Sequence, residues 1–184
     1  MDKEKIIKAV HDLLIAIGEN PERPGIKRTP ERIAEMYCEL LSGSKDQAAQ
    51  IIQETHDLEH DGMILLRDVP FYSMCEHHLL PFFGKCHIAY IPDGNRIVGL
   101  SKIVSVIEIL SRQLQVQERL TTQIVDTIMK NLKPKGVGLV MEARHLCLEM
   151  RGIQKSDTYT ITSDVKGLFR SDLKTREEFL KLIK

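Results

Sequence analysis

The chain has 184 residues, of which 42% are hydrophobic and 28% charged, a size and composition typical of a globular protein with one main domain. Lys+Arg (26) balance Asp+Glu (26), so the overall charge gives no reason to expect a nucleic-acid or membrane partner.

Helices are predicted over residues 1–62, which we assign to an N-terminal helical region. Apolar residues at helical spacing predict one helix over residues 4–17. A second begins at "TPER", with Thr29 as N-cap and Pro30 at the first helical position, and a weaker third covers residues 45–57. The opening stretch is charged, and no apolar run reaches membrane-spanning length. We therefore expect a cytoplasmic protein whose cysteines are buried, metal-bound or reactive.

Strands dominate from Met63 onwards. "MILLRDV" and "FFGKCHIAYI" are typical of strands, and "PDGN" of a hairpin turn into "RIVGL". Two helices follow, over residues 102–114 and 117–132. "VGLVMEARHLCLEM" and "DTYTITS" then predict paired strands before a terminal helix at "TREEFLKLI". This order predicts an α+β core over residues 63–184, with antiparallel hairpins rather than a parallel sheet.

Metal-ligand residue types concentrate in "FYSMCEHHLLPFFGK", residues 71–85. Its Cys75 and His78 have the Cys-x-x-His spacing of many zinc sites. Downstream, His145 and Cys147 are two residues apart in a predicted strand, so they would share one face with Cβ atoms roughly 7 Å apart. With Cys147 as third ligand, a tetrahedral zinc would keep one open position, the arrangement of a catalytic site.

Other interpretations of these residues remain open. Cys147 could be a buried small hydrophobe, a common fate of free cysteine. Cys86 or His77 could instead complete a structural site with four protein ligands. His77 also suits general acid–base work, because histidine titrates near neutral pH. Beside a metal ligand, we favour this proton-transfer role for His77.

Three further segments carry candidate binding residues. In "VGLSKI", Ser101 can cap a helix and Lys102 lies in its first turn, which favours an anion, although an ordinary cap explains the same pattern. Glu118 in "QVQERL" could accept from the two N–H donors of a guanine edge, or be favoured there by the helix dipole alone. Arg151 follows Cys147 by four residues and would lie on its face in an extended chain, as a phosphate contact or a strand-end charge.

Taken together, "SMCEHHLLPFFGK", "AYIPDG", "VGLSKI", "QVQERLT", "HLCLEMRG" and "TREEFL" closely resemble GTP cyclohydrolase I, and the likeness covers nearly the whole chain. The resemblance implies a tunnelling fold (T-fold) with an antiparallel sheet and two helices, plus an N-terminal helical region. It also implies a homodecamer of two stacked pentamers. The implied reaction converts GTP and water to 7,8-dihydroneopterin triphosphate and formate, the first step of folate and pterin biosynthesis.

The resemblance also implies roles for individual residues. Cys75, His78 and Cys147 are implied ligands of Zn²⁺, which would activate the water that attacks C8 of guanine. His77 is implied as proton donor to the opening ring, and His145 is expected to assist near the ribose. The implied substrate-binding residues are Glu118 and Gln117 at the guanine edge, and Ser101, Lys102, Arg151 and Arg32 at the triphosphate.

Three positions lack the basic residue that we associate with the family: Glu35, Ser105 and Gln154. These changes thin the anion site and spare the zinc and proton-transfer positions. We therefore expect retained chemistry, with weaker GTP binding or acceptance of a nucleotide with fewer phosphates. The alternatives are a paralogue acting on another purine nucleotide and a non-catalytic pterin- or purine-binding regulator. The regulator is disfavoured because pure binding needs neither His77 nor His145.

Overall fold

The computed structural model describes residues 1–53, 55–94 and 96–184, and the chain divides into two compact units, Met1–Ser42 and Gly43–Lys184. The first unit contains α1 (Lys3–Ala16) packed on α2 (Thr29–Leu40). The predicted first helix is thereby confirmed. Thr29 is the first residue of α2 rather than its N-cap, since Arg28 holds that position and makes no side-chain cap bond.

The second unit contains the remaining helices and all described strands. In chain order its elements are α3 (Lys45–Ile51), β1 (Thr55–Asp57), β2 (Ile64–Cys75), β3 (Pro81–Ile91), β4 (Arg96–Val98), α4 (Leu100–Ser111), β5 (Leu114–Gln115), α5 (Gln117–Leu132), β6 (Gly136–His145), α6 (Leu146–Glu149), β7 (Thr160–Gly167), α7 (Leu168–Ser171) and α8 (Leu173–Leu182). The domain boundary predicted at residue 62 rests on the sequence pattern alone. In the structure, α3 packs against α4 and α5 and therefore belongs to the second unit.

A five-stranded sheet organises this unit, in the order β5-β2-β3-β6-β7. Its β2–β3, β3–β6 and β6–β7 pairs are antiparallel, and the two-residue β5 runs parallel to β2. The α+β prediction with antiparallel pairing is therefore confirmed. Among the described helices, none combines the length and apolar character needed to cross a bilayer.

The side chains of β3 alternate between two cores, as period-two geometry requires. Cys86, Ile88 and Tyr90 join the larger core, which α4 and α5 cover with residues such as Ile107 and Ile124. Fully burying one such aliphatic side chain stabilises the fold by about 1.5–3 kcal/mol. On the opposite face, a smaller core gathers the buried residues Ala89, Ile91, Phe169 and Phe179.

The predicted third helix and the predicted hairpin at "RIVGL" differ from the structure. The third helix ends at Ile51, and Thr55–Asp57 instead form β1, which pairs with β4. "RIVGL" therefore contributes a strand to the β1–β4 pair rather than a hairpin with β3. Strand pairing in three dimensions overrides a weak local helix pattern here. Glu54 of the predicted helix and Asn95 of the predicted turn lie outside the described residues.

The end of β6 differs in a way that affects the site. The sequence predicts a continuous strand through "HLCLEM", whereas β6 ends at His145 and the next four residues form α6. His145 and Cys147 therefore do not share a strand face. The α5 prediction matches exactly in its bounds, and the predicted terminal helix is confirmed within α8.

Candidate metal centre and proton-transfer residues

The loop between β2 and β3 is shaped by its own backbone hydrogen bonds. The Cys75 N–H donates to the Leu80 carbonyl and the Leu79 N–H donates to the Cys75 carbonyl, both at 2.9 Å. Leu79 adopts a left-handed conformation (φ +53°), which reverses the chain at a cost of about 1–3 kcal/mol for a non-glycine residue. The Glu76 N–H also donates to the Gln115 carbonyl at 3.0 Å, which attaches the loop to β5. The loop thus presents its side chains in a fixed arrangement.

Cys75, His78 and Cys147 form a compact donor group. Their ligand atoms all lie within 4.8 Å of one another, and Cys75 Sγ is 3.7 Å from His78 Nδ1. Zn–S bonds near 2.3 Å and Zn–N bonds near 2.0 Å place tetrahedral donors roughly 3.5 Å apart. Two thiols and one imidazole at this separation fit a zinc ion. The sequence-predicted ligands are therefore brought together.

Neither Cys86 nor His77, the two candidates for a fourth protein ligand, belongs to this donor group. Cys86 is fully buried in the larger core, and this burial raises the pKa of its thiol to about 12. The His77 ring is exposed, with Nε2 3.7 Å from Glu76 Oε1. In the part of the chain that the structure describes, the metal-type group consists of the three residues alone. This composition disfavours a structural site completed by Cys86 or His77.

Cys147 reaches the group through the turn of α6 rather than through strand alternation. Burial raises the pKa of the Cys147 thiol, and the adjacent Cys75 thiol raises it further. Two neighbouring thiols resist ionising together, because the second thiolate would form beside the first. A bound cation reverses this preference by stabilising both thiolates.

Arg151 lies beside the same group, with Nη1 3.2 Å from His78 Nε2. A guanidinium only donates, so His78 Nε2 accepts and Nδ1 carries the ring proton. A metal ion at Nδ1 requires the opposite tautomer, in which Arg151 loses this contact and can turn to another acceptor. The extended spacing used to predict the position of Arg151 was wrong, because α6 intervenes, yet the residue does lie beside a predicted ligand.

Glu76 and Arg119 are two site residues that sequence reasoning missed. Arg119 on α5 donates to the Glu76 carboxylate, to the Leu114 carbonyl at 2.7 Å and to Gln115 Oε1 at 2.9 Å. Arg119 also lowers the pKa of Glu76. The available signal was a pair of opposite charges inside the two motifs "CEHH" and "QERL". The ion pair ties the metal loop to α5 and β5.

His145 is held on two sides. Its ring stacks on Phe82, its partner across the β3–β6 pair, with centroids 4.7 Å apart and planes 1° from parallel. Its Nε2 lies 2.7 Å from Gln117 Oε1. Burial lowers the pKa of His145, and the Glu118 and Glu149 carboxylates oppose this only partly. The neutral imidazole is therefore favoured near neutral pH, and Glu118 lies close enough to interact with it.

The Gln117 side chain is buried and faces the sheet. Its Nε2 contacts the Met141 carbonyl at 3.2 Å, the Thr160 carbonyl at 3.0 Å and Thr162 Oγ1 at 3.1 Å. These bonds occupy the carboxamide, so any contact of Gln117 with substrate would come from its backbone. Its link to His145 had no signal in the sequence.

The remaining predicted binding residues keep the status of predictions. Ser101 is exposed in the first turn of α4, where Gly99 is the N-cap and no side chain caps, so the expected Ser101 cap is wrong. Lys102 lies in the same turn, its N–H donating to the Gly99 carbonyl at 2.8 Å. Arg32 is exposed on α2 in the first unit.

The three substituted basic positions occupy ordinary places on their elements. Glu35 is exposed on α2, and Ser105 is half-buried on α4. Gln154 is exposed in the α6–β7 connection and adopts a left-handed conformation (φ +53°). Their effect on anion binding remains a prediction.

Comparison with known proteins gives consistent names. The profile of the family described as GTP cyclohydrolase I matches residues 6–184. A protein named GTP cyclohydrolase 1 from Thermoanaerobacter pseudethanolicus is 51% identical over 183 residues, covering 100% of this chain and 97% of the relative. Another of that name, from Caldanaerobacter subterraneus subsp. tengcongensis, is 50% identical with the same coverage. A solved structure of archaeosine synthase QueF-Like in the apo form matches 59% of this chain and 97% of its own, at 12% identity and a TM-score of 0.47, too weak a likeness to assign a fold.

Proposed function

The chain belongs to the GTP cyclohydrolase I family, and on that premise we propose that Cys75, His78 and Cys147 form the zinc site at which this enzyme opens the guanine ring of GTP. The products are 7,8-dihydroneopterin triphosphate and formate. The observation that carries the proposal is the convergence of two thiols and one imidazole, with all ligand atoms within 4.8 Å. This donor set suits zinc and leaves one tetrahedral position for solvent.

Zinc bound there would supply Lewis-acid activation of water at neutral pH. The chain's own contribution is to hold the donors. The β2–β3 loop fixes Cys75 and His78 through backbone bonds, and the Arg119–Glu76 ion pair holds that loop against α5. Such outer contacts orient ligands and tune a metal site.

His77 is the general acid in this proposal. Its ring is exposed beside the ligand His78 and packs at 82° to it, with centroids 6.2 Å apart. An exposed ring can reach a substrate nitrogen while its neighbour binds metal. Protonating the imidazole ring of guanine makes C8 a better electrophile, so the proton donor and the activated water must act on the same small ring.

His145 and Glu118 act on the other parts of the substrate. His145 assists near the ribose, where a neutral, fixed imidazole can exchange hydrogen bonds during rearrangement and ring closure. Glu118, close to His145, accepts from the adjacent N–H donors of the guanine edge. The backbone around Gln117 completes that edge.

Ser101, Lys102 and Arg151 bind the triphosphate in this proposal, and Arg32 of the first unit remains a candidate from the sequence alone. Arg151 is the best supported, because metal binding at His78 Nδ1 would free its guanidinium for a phosphate. The acid or neutral residues at Glu35, Ser105 and Gln154 reduce the positive charge available. Measuring kcat/KM for GTP, GDP and GMP tests this point, and we expect a shallow preference for GTP. A steep loss of kcat/KM with each phosphate removed would contradict it.

We also propose the T-fold, a homodecamer of two pentamers and a cytoplasmic location. The antiparallel β2–β3–β6–β7 arrangement with α4 and α5 on one face supports the fold. β7 is an edge strand with Ile161 65% exposed, and such edges are commonly covered by another chain. Thiolate ligands call for a reducing compartment. The molar mass measured by light scattering, as the protein leaves a size-exclusion column, tests the decamer. The mass of a monomer would contradict it.

The reaction itself is tested by incubating zinc-loaded protein with GTP and measuring formate together with the fluorescence of the oxidised pterin. The metal-free protein and the same sample after zinc is restored are the controls. We expect equal molar amounts of formate and pterin, lost on metal removal and regained with zinc. Zinc-loaded, folded protein that releases neither product would overturn the proposed function.

A further inference from the structure

Gln117 has a buried carboxamide whose direction is dictated by its surroundings. We infer that Gln117 is a positioning residue that holds His145 as the Nε2–H tautomer and leaves Nδ1 as the one ring nitrogen able to accept a hydrogen bond from the substrate. The inference rests on the proposed function of His145 and adds the atom through which that residue acts.

The orientation of the Gln117 amide follows from its acceptors. The Nε2 group contacts the carbonyl oxygens of Met141 and Thr160, which can only accept. A flipped amide would place Oε1 against both carbonyls and leave them without this donor. The NH₂ therefore faces the sheet, and Oε1 faces His145 Nε2 at 2.7 Å. An oxygen that only accepts requires a proton on that nitrogen.

The same network prevents the amide from turning. Gln117 is 1% exposed and is the first residue of α5, so its backbone is fixed by the helix. Thr162 Oγ1 also contacts Gln117 Nε2 at 3.1 Å, whereas the Thr121 hydroxyl donates to the backbone carbonyl of Gln117 at 2.7 Å and does not hold the carboxamide. Stacking on Phe82 fixes the plane of the His145 ring. Both the direction of the hydrogen bond and the ring plane are thereby set before substrate arrives.

The other ring nitrogen remains for chemistry. The contact with Gln117 is made at Nε2 and does not use His145 Nδ1. In the neutral ring its lone pair is available to a substrate hydroxyl. If Gln117 were absent, the proton could move to Nδ1 and the ring would offer a donor where the substrate needs an acceptor.

The test compares Gln117→Met with Thr121→Val. Methionine matches the length of glutamine and removes both halves of the carboxamide. Valine at position 121 removes a neighbouring hydroxyl that contacts only the backbone of Gln117, and not its carboxamide or His145. We expect Gln117→Met to lower kcat about 10- to 100-fold with KM for GTP and zinc content near wild type. We expect Thr121→Val to keep kcat. Equal kcat losses in both variants would reduce Gln117 to a structural role and overturn the inference.

A second measurement does not depend on activity. Long-range ¹H–¹⁵N NMR on histidine-labelled, zinc-loaded protein, at mildly alkaline pH, reports which ring nitrogen of His145 carries the proton. We expect Nε2–H in wild type and in Thr121→Val, and loss of this single tautomer in Gln117→Met. An Nδ1–H signal in wild type overturns the inference even if Gln117→Met fails to fold. Absence of formate release would overturn the proposed function and leave this measurement standing.

Discussion

His87 and His145 lie on neighbouring strands of the same sheet, β3 and β6, and each ring is fixed by a hydrogen bond at a different nitrogen. His87 Nδ1 accepts from the Asp68 N–H at 3.2 Å, which places its proton on Nε2. His145 Nε2 donates to Gln117 Oε1, which places its proton on Nε2 as well. The two rings share one tautomer. They differ because the Nδ1 lone pair accepts from the backbone in His87, whereas in the proposed function it is left for substrate in His145.

The surroundings of His87 explain why its lone pair is used. The β2–β3 register shifts between Leu66 and Val69, and Asp68 within this bulge has a left-handed φ of +53°. The Asp68 N–H leaves the β2–β3 ladder at this bulge and donates to the His87 ring instead, in a part-buried contact. Burial also lowers the pKa of His87. The neutral His87 ring therefore has no free acceptor nitrogen to offer a substrate, because its Nδ1 already accepts a backbone hydrogen bond.

The cysteines repeat this comparison and give the largest predicted effect. Cys147→Ala should remove bound zinc and reduce formate release to background, because two ligands hold the ion poorly and expose a further position to solvent. Cys86→Ala is the matched control, since Cys86 is buried in the core away from the donor group and should keep zinc and activity. Zinc analysis and formate assay check both. If Cys147→Ala bound as much zinc as wild type, Cys147 would not be a metal ligand and its contrast with Cys86 would be wrong.

The two histidines can be compared directly by the same substitution. His145→Gln should lower kcat about 10²- to 10⁴-fold, the range expected for loss of an acid–base group. His87→Gln should keep kcat, because an amide oxygen can still accept from the Asp68 N–H. Steady-state kinetics on both variants at equal zinc content checks this. Similar kcat losses in the two would show that sheet packing, rather than the free nitrogen, sets activity.

A smaller effect is expected from the ion pair that supports the metal loop. Arg119→Met should weaken zinc binding about 10- to 100-fold, because Glu76 and the loop lose their link to α5. Arg112→Met is the control, since Arg112 pairs with Glu108 at 2.6 Å on a helix surface and such pairs contribute little. Competition with a zinc chelator measures both affinities. Equal affinities in the two variants would contradict a role for the ion pair.

The smallest effect concerns stability against pH. The pKa of His87 is lowered in the folded state, so its contribution to stability is complete above the unfolded value near 6.5 and is lost as pH falls through the folded pKa. Wild type should therefore lose more thermal stability than His87→Gln on acidification below pH 6.5. Thermal melts of both proteins at several pH values check the difference. If the melting temperatures of both proteins fell equally with pH, His87 would not be the source of the acid sensitivity.

The parts of the site that the sequence predicts are those set by local spacing or by motif. Cys75 and His78 lie in one loop, so their convergence needs only the turn. Cys147 lies beside them, as the resemblance implied, although the predicted strand at that point is replaced by α6. The helices α1 and α5 follow from apolar periodicity, which survives in the fold because each buries one face.

The parts that could not be predicted depend on partners far apart in the chain. The Gln117 amide contacts β6 and β7, and Arg119 reaches back to Glu76. The hydrogen bond from the Asp68 N–H to His87 depends on the shift in register between β2 and β3. The β1–β4 pair likewise requires the strands to meet in space. Residue type and local spacing do not predict these long-range contacts, because they depend on how the elements pack in three dimensions.

A crystal structure of the zinc-loaded protein, with anomalous scattering measured at the zinc edge, tests the central claim most directly. We predict one zinc per chain, bound by Cys75 Sγ, a His78 ring nitrogen and Cys147 Sγ, with a solvent oxygen in the fourth position. A fourth protein donor such as His77 in that position, or zinc bound elsewhere with these three residues free, would contradict the account.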